Sequence, residues 1–244
     1  MTRINYVAAF YIGPNRRYDK YIARQQQDPA FLLRYHLELL ATCRDTDITM
    51  GTFMFNDDLT EDVRQTLQDT VNSYNLPMAS QILYRPNNGY SYGAWNDAVV
   101  TNINEADYFM LIEDDYIPDA ADFYKVFVER ITDETPFCCM YVGPAPEWAN
   151  SKKHACSSNG MLQGKAARKV IEQYGEPFKW YRSNALEEAW RTQTDFLDYF
   201  TELGYDFRDC LDEYSVHQYN CQNNQLFIFG VEGARSPILP IIFD

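Results

Sequence analysis

The chain has 244 residues, enough to bury a substantial core, and its 46% hydrophobic and 23% charged content is ordinary for a globular protein and excludes disorder. It carries 21 Lys and Arg against 35 Asp and Glu, a formal net charge of −14, which argues against wrapping nucleic acid or lying on anionic lipid. Aromatic residues reach 16%; most belong in a core, and the excess suits a surface that stacks on flat or sugar-like ligands.

Residues 4–12 read as a buried strand closed by Gly13-Pro14, with no signal-peptide pattern before it. Residues 17–42 read as a helix, with Phe31, Leu32, Tyr35, Leu39 and Leu40 as its apolar positions. A second strand over 47–55 ends at Asn56-Asp57-Asp58, and Asp58 with Glu61 has the spacing of a capping box for a helix over 60–74. Residues 80–84 suggest a third strand before Pro86-Asn87-Asn88-Gly89, and a helix follows through Ala94, Trp95, Ala98 and Val99. The apolar strand 108–112 ends in Glu113-Asp114-Asp115. A helix is expected after Pro118-Asp119, with Phe123, Phe127, Val128 and Ile131 on one face, and then a strand from Phe137 to Val142.

Strands alternating with helices over the first 142 residues predict an α/β fold with a mostly parallel sheet covered on both faces. Such sheets bind ligands beyond the carboxyl ends of their strands, where this chain places its acidic clusters. The remainder is less regular. It has a loop at Gly143-Pro144-Ala145-Pro146, a turn expected at Ser158-Asn159-Gly160-Met161, helices near 164–174 and 185–203, and a last strand over 226–231. No Gly/Ser linker or internal repeat divides it, so one domain is expected over 1–244. No run approaches the ~18 apolar residues of a membrane span, so the expected location is cytoplasmic, or peripheral to a membrane.

The six cysteines are scattered without a CxxC pair and read as reduced thiols; with only three histidines at no ligand spacing, zinc is not expected. Three adjacent carboxylates at a strand end repel one another. Either they cap the next helix, or a hard divalent ion, Mg2+ or Mn2+, neutralises them and is completed by substrate phosphates.

The order of strand, Asp57-Asp58-Leu59-Thr60-Glu61-Asp62, Asn87-Asn88-Gly89, Gly93-Ala94-Trp95-Asn96 and Glu113-Asp114-Asp115 resembles the nucleotide-binding half of GT-A fold glycosyltransferases, in particular the family 2-like group. The likeness spans about 110 residues from the first strand to the acidic triplet, a form of the Asp-x-Asp signature. Two departures stand out: the segment from Asn87 to Asn96 is one residue longer than the common pattern, and Trp95 stands where many members have Arg.

The resemblance implies a GT-A, Rossmann-like fold with a nucleotide-sugar-binding half over 1–118 and an acceptor-binding half over 119–244. It implies a metal-dependent, inverting glycosyltransferase that moves a sugar from a nucleoside diphosphate sugar, UDP in preference to GDP, to a carbohydrate or other hydroxyl acceptor. Asp57 or Asp58 would bind the base or ribose and Tyr11 would stack on the base. Gly89 with Asn88 would admit the donor, Asp114 would lie near the transferred sugar, Asp115 would hold the metal, and Glu113 would contact the ribose or the metal-bound water. His217 is a candidate metal ligand, with an ordinary loop histidine as the alternative. Asp195, Glu187 and Glu188 compete for the general base, with Asp195 preferred; all three also read as solvated helix charges paired with Arg191. Trp148, Trp180 and Trp190 are candidate acceptor platforms or core, and the Lys152-Lys153-His154 stretch reads as a solvated loop or a diphosphate contact. Two other classes compete with this reading. A sugar-phosphate nucleotidyltransferase is disfavoured because the loop after the first strand has a single glycine, Gly13, before Pro14-Asn15-Arg16-Arg17. A non-catalytic carbohydrate-binding protein is disfavoured by the intact triplet.

Overall fold

The first strand sets the layering. In β1 (Ile4–Ala9), Tyr6 and Ala8 face one buried layer and Val7 and Ala9 the other, so the strand has no solvent face. The structure is a computed structural model that describes residues 2–13, 26–118, 120–144, 153–183, 185–210, 214–221 and 224–231. After β1 come α1 (Phe31–Thr42), β2 (Ile48–Asn56), α2 (Glu61–Ser73), β3 (Ala79–Arg85), α3 (Tyr90–Thr101) and β4 (Tyr108–Glu113). They are followed by β5 (Tyr116–Pro118), α4 (Lys125–Val128), β6 (Phe137–Pro144), β7 (Lys153–Gln163) and α5 (Gly164–Tyr174). The last of the described elements are α6 (Leu186–Asp195), α7 (Asp198–Glu202), β8 (Phe207–Asp209), β9 (Tyr214–Cys221) and β10 (Asn224–Val231).

Seven strands form one sheet in the order β3-β2-β1-β4-β7-β6-β8. All neighbouring pairs in it are parallel except those of β7, which runs antiparallel to β4 and β6. The fold is thus the α/β, mostly parallel arrangement expected. Helices α1 and α2 cover one face through Leu33, Leu37, Leu40, Leu67 and Val71. Helices α3 and α5, with Phe196 and Phe200, cover the other through Trp95, Val99, Ala167 and Val170. β5, β10 and β9 make a second, three-stranded sheet.

The sequence reading needs several corrections. β1 ends at Ala9 rather than residue 12, because the chain beyond it is held by Asn56: the Ile12 N–H donates to Asn56 Oδ1 at 2.9 Å, and Asn56 Nδ2 donates to the Ile12 carbonyl at 2.8 Å. Residues 17–25 of the expected long helix lie outside the described residues, and α1 begins at Phe31. The N-cap of α2 is Thr60, whose hydroxyl accepts from Val63 N, whereas Asp58 accepts from Asn56; there is no capping box at Asp58. After Pro118 the chain forms turns and the four-residue α4, so the acidic triplet caps no helix. The helix expected over 185–203 breaks between α6 and α7. The turn expected at Ser158–Met161 is interior to β7, where Gly160 lies across from Cys139 and a Cβ there would come within 2.6 Å of the Phe137 ring. Lys153 opens β7 instead of lying in a loop, and its Nζ pairs with Asp206 and donates to the Phe207 carbonyl at 3.1 Å.

Candidate active site

β1 has β2 on one side and β4 on the other, and the chain goes from β1 outward to β2 and β3 before crossing back to β4. That crossing is the switch point at which parallel sheets open a ligand crevice. Ala9 is in register with both Met54 and Glu113, so the ends of β1, β2 and β4 come out together. The structure therefore brings Tyr11, Asp57, Asp58 and the Glu113–Asp115 triplet to one edge of the sheet.

Glu113, half-buried at the end of β4, accepts from Ser91 Oγ at 2.7 Å in the first turn of α3. Asp114 and Asp115 are buried, and Asp114 Oδ2 accepts from the Tyr11 backbone N–H at 3.4 Å. Tyr11 itself is half-buried, and its ring curls back over Gly13. Asp57 is tied through its backbone, its N–H donating to the Arg85 carbonyl at 2.8 Å and its carbonyl accepting from Arg64. Arg64 in turn lies 4.4 Å from the centre of the Tyr84 ring.

The Asn-Asn-Gly turn is built around a residue the sequence reading did not single out. Arg85 is a buried guanidinium that donates from Nη1 to the Asn88 carbonyl at 2.9 Å and from Nη2 to Asn88 Oδ1 at 2.7 Å, while Nε meets Asp97 at 2.7 Å. Gly89 has φ +70°, and a Cβ there would sit 2.3 Å from the Trp180 ring, so both conformation and space demand glycine. Trp180 is thus buried packing, covering Gly89 and lying 5.6 Å from the Arg85 guanidinium, and not an open platform for an acceptor. Trp148 lies outside the described residues, as does the side chain of Trp190.

Trp95, which replaces the Arg of the family pattern, is fully buried. Its indole N–H donates to the Ile112 carbonyl at 3.2 Å, one residue before the triplet, and its ring packs on Phe196 at 6.0 Å. Phe196 directly follows Asp195, so α6 ends close behind β4. Asp195 is buried; its Oδ2 accepts from Tyr181 Oη at 2.7 Å and lies 3.5 Å from Lys179 Nζ, which also meets Asp198 at 2.7 Å. Burial lowers the Lys179 pKa, but the bond to Asp198 and the charges of Asp198 and Asp195 outweigh it and raise it. Burial raises the Asp198 carboxyl against the pull of that lysine. Glu187 is exposed and pairs with Arg191 at 3.1 Å one turn on, and Glu188 is half-buried. The structure therefore separates Asp195 from the two glutamates, which lie at the other end of α6.

His217 lies on β9, in register with Ile228 of β10, which is in register with Ile117 of β5. Its backbone is thus two strands, roughly 10 Å, across from a position two residues beyond Asp115; its side chain is outside the described residues. Among the described residues, no three His, Cys, Asp or Glu side chains converge as a metal cage, and none of the helices is long and apolar enough to cross a membrane.

No protein-family model matches the chain, and no curated protein matches it in sequence. Solved structures do. A mannosyltransferase from Pyrobaculum calidifontis, in complex with GDP-Man and Mn2+, is similar with a TM-score of 0.51 and 11% identity over 86% of this chain and 55% of that one. A 4-diphosphocytidyl-2C-methyl-D-erythritol synthase from Anaerococcus prevotii gives 0.52 and 9% over 85% of each chain. Glucosyl-3-phosphoglycerate synthase from Mycobacterium tuberculosis, in complex with Mn2+, UDP and phosphoglyceric acid, gives 0.49 and 10% over 85% of this chain and 67% of that one. This chain spans about half the length of the mannosyltransferase it matches. At such identities the likeness is one of fold: the chain has a GT-A-type, Rossmann-like α/β fold.

Proposed function

We propose that the chain is a glycosyltransferase that moves a sugar from a nucleoside diphosphate sugar, UDP in preference to GDP, to a hydroxyl of a carbohydrate or similar acceptor with inversion. The observation that carries this reading is the meeting of three acid-bearing or aromatic strand ends at the switch point of the sheet, with the Arg85-bound Asn-Gly turn beside them. Asp57 or Asp58 would take the base or ribose and Tyr11 the face of the base. Asn88, held by Arg85, would lie beside the donor, while Gly89, covered by the Trp180 ring, would shape the turn and not open it. Asp114 would lie near the transferred sugar.

Glu113 and Asp115 would hold Mn2+ or Mg2+, with His217 as a candidate third ligand. Their hard oxygens fit such an ion, which characteristically takes one or two protein carboxylates and completes its shell with ligand phosphates instead of a closed protein cage. When bound, the ion supplies Lewis-acid stabilisation of the leaving diphosphate. Ser91 would orient Glu113 through the 2.7 Å bond to Oε1. Asp195 would take the acceptor proton, with Tyr181 fixing one carboxylate oxygen and leaving the other to act. Its burial next to Phe196 favours it over Glu187, which is committed to Arg191 on the solvent side.

The test is thermal unfolding with UDP-, GDP-, CMP- and dTDP-sugars, each with Mn2+ and with EDTA, since a ligand bound only by the native state raises Tm. A metal-dependent rise with one nucleotide class is expected; no rise with any of them defeats the reading. A nucleotidyltransferase is the second reading, favoured by the fold likeness to the erythritol synthase over 85% of both chains. It predicts pyrophosphate release from a nucleoside triphosphate and a sugar phosphate, which a glycosyltransferase does not give.

A further inference from the structure

The acidic triplet is anchored from beneath by a buried histidine. His36 projects from the apolar face of α1, among Leu32, Leu33, Leu37 and Leu40, and is fully buried. Its Nε2 lies 3.0 Å from the backbone carbonyl of Asp114, and its Nδ1 lies 2.6 Å from the hydroxyl of Tyr6, itself fully buried on β1. The protons are dictated by chemistry. A carbonyl only accepts, so Nε2 carries the hydrogen; in the neutral imidazole Nδ1 is then an acceptor and the Tyr6 hydroxyl donates to it. Aromatic rings enclose this relay: Phe10 lies edge-on to His36 at 5.0 Å, and Phe123 edge-on to Tyr6 at 6.0 Å. In such surroundings water does not readily replace a lost donor, which gives the His36 bond to the Asp114 carbonyl its weight.

We propose that His36, oriented by Tyr6, is a positioning residue that fixes the backbone turn between Glu113 and Asp115 and thereby sets where those two carboxylates are presented. The second strut of the same turn is the Tyr11 N–H on Asp114 Oδ2. Together they tie the middle residue of the triplet to α1 and to the segment just beyond β1, while its neighbours on each side are the ones read above as ligands. The functional consequence rests on the proposed metal and nucleotide site; the positioning itself does not.

The experiment compares wild type, His36→Phe, His36→Gln and Tyr6→Phe by amide hydrogen exchange and by calorimetric titration of Mn2+ with UDP and with GDP. Gln carries an N–H at about the reach of Nε2 and serves as the conservative rescue. In His36→Phe, exchange over 113–118 is expected to accelerate about tenfold while β2 and β3 keep their rates, with His36→Gln restoring it. Mn2+–nucleotide affinity should fall about ten- to a hundredfold in His36→Phe and recover in His36→Gln. Tyr6→Phe should move both readouts the same way by less; because it removes only a hydroxyl, it decides the matter if His36→Phe does not fold. Unchanged exchange over 113–118, failure of Gln to restore it, or acceleration spread evenly over β1, β2 and β4 overturns the proposal. If wild type binds no Mn2+ with either nucleotide, the functional reading fails, and the exchange arm still decides whether His36 positions the turn.

Discussion

The ends of β2 and β4 and the end of α6 both gather carboxylates, but they dress them differently. At the strand ends, neutral groups orient them: the Ser91 hydroxyl on Glu113, the Tyr11 amide on Asp114 and the Asn56 amide on Asp58. At the end of α6, Asp195 and Asp198 share the ammonium of Lys179. A neutral donor fixes a carboxylate without itself cancelling the charge, whereas a lysine at 2.7 Å compensates it locally. The first arrangement suits ligand binding; the second makes a buried polar brace, in which Asp195 can act only within a network that also holds α6 to the Lys179–Tyr181 segment.

The sharpest way to break this comparison is Asp115→Ala. Transfer should fall roughly a thousandfold, and Mn2+-dependent nucleotide binding should vanish, because several kcal/mol of metal-derived stabilisation is lost. Normal turnover by this variant would remove the metal role from the triplet.

The next effect is a pH dependence. Burial pushes the His36 pKa down to about 4, against the smaller opposing effects of its bond to Asp114 and that residue's charge. Below about pH 6.5 the unfolded chain takes up a proton that the folded chain refuses until about pH 4. Stability is therefore fully present above the unfolded value and is lost as pH falls through this window, by roughly 3 kcal/mol from this one group. Urea unfolding at pH 7.5 and pH 4 should show that much more loss in wild type than in His36→Gln; equal losses would contradict the burial argument.

Lys179→Met tests the brace. Removing the cation leaves two buried carboxylates together and should cost about 2 kcal/mol, partly recovered by adding Asp198→Asn. Additivity in that double-mutant cycle would mean that the lysine does not serve the pair. Smallest is Glu187→Ala: its ion pair with Arg191 is exposed, so stability should change by less than about 0.5 kcal/mol and transfer should be unaffected. A large loss of transfer would move the proton acceptor to the other end of α6 and away from Asp195.

Much of the first half of the chain was legible because its signals are local. β4 is an unbroken apolar run closed by three acids, and Gly89 between Asn88 and Tyr90 announces a turn; the left-handed φ of +70° bears this out. The acidic strand ends could be placed at one edge because parallel order follows from alternating elements. What escaped were residues whose importance depends on partners far along the chain. Arg85 reads as the end of an ordinary strand until its guanidinium is seen on Asn88 and Asp97. Trp180 resembles a sugar platform until it is found over Gly89. His36 did leave a signal, a lone polar residue inside a leucine stripe, but nothing in α1 indicates that it meets Asp114, 78 residues away.

The second half was harder for a physical reason. β7 and β9 mix polar and apolar residues and gain their definition from neighbours in the sheet rather than from their own periodicity. The break between α6 and α7 likewise falls where Phe196 and Leu197 turn into the core. By itself the sequence determined the α/β class, the parallel order and the acids at the strand ends, since apolar period, turn residues and composition are properties of short segments. The tertiary structure alone decided which carboxylates are oriented by neutral donors and which by lysine, where β7 inserts against the parallel strands, and that a histidine supports the acidic turn. Those outcomes depend on burial and on hydrogen bonds between residues distant in the chain, and neither is encoded in any single segment.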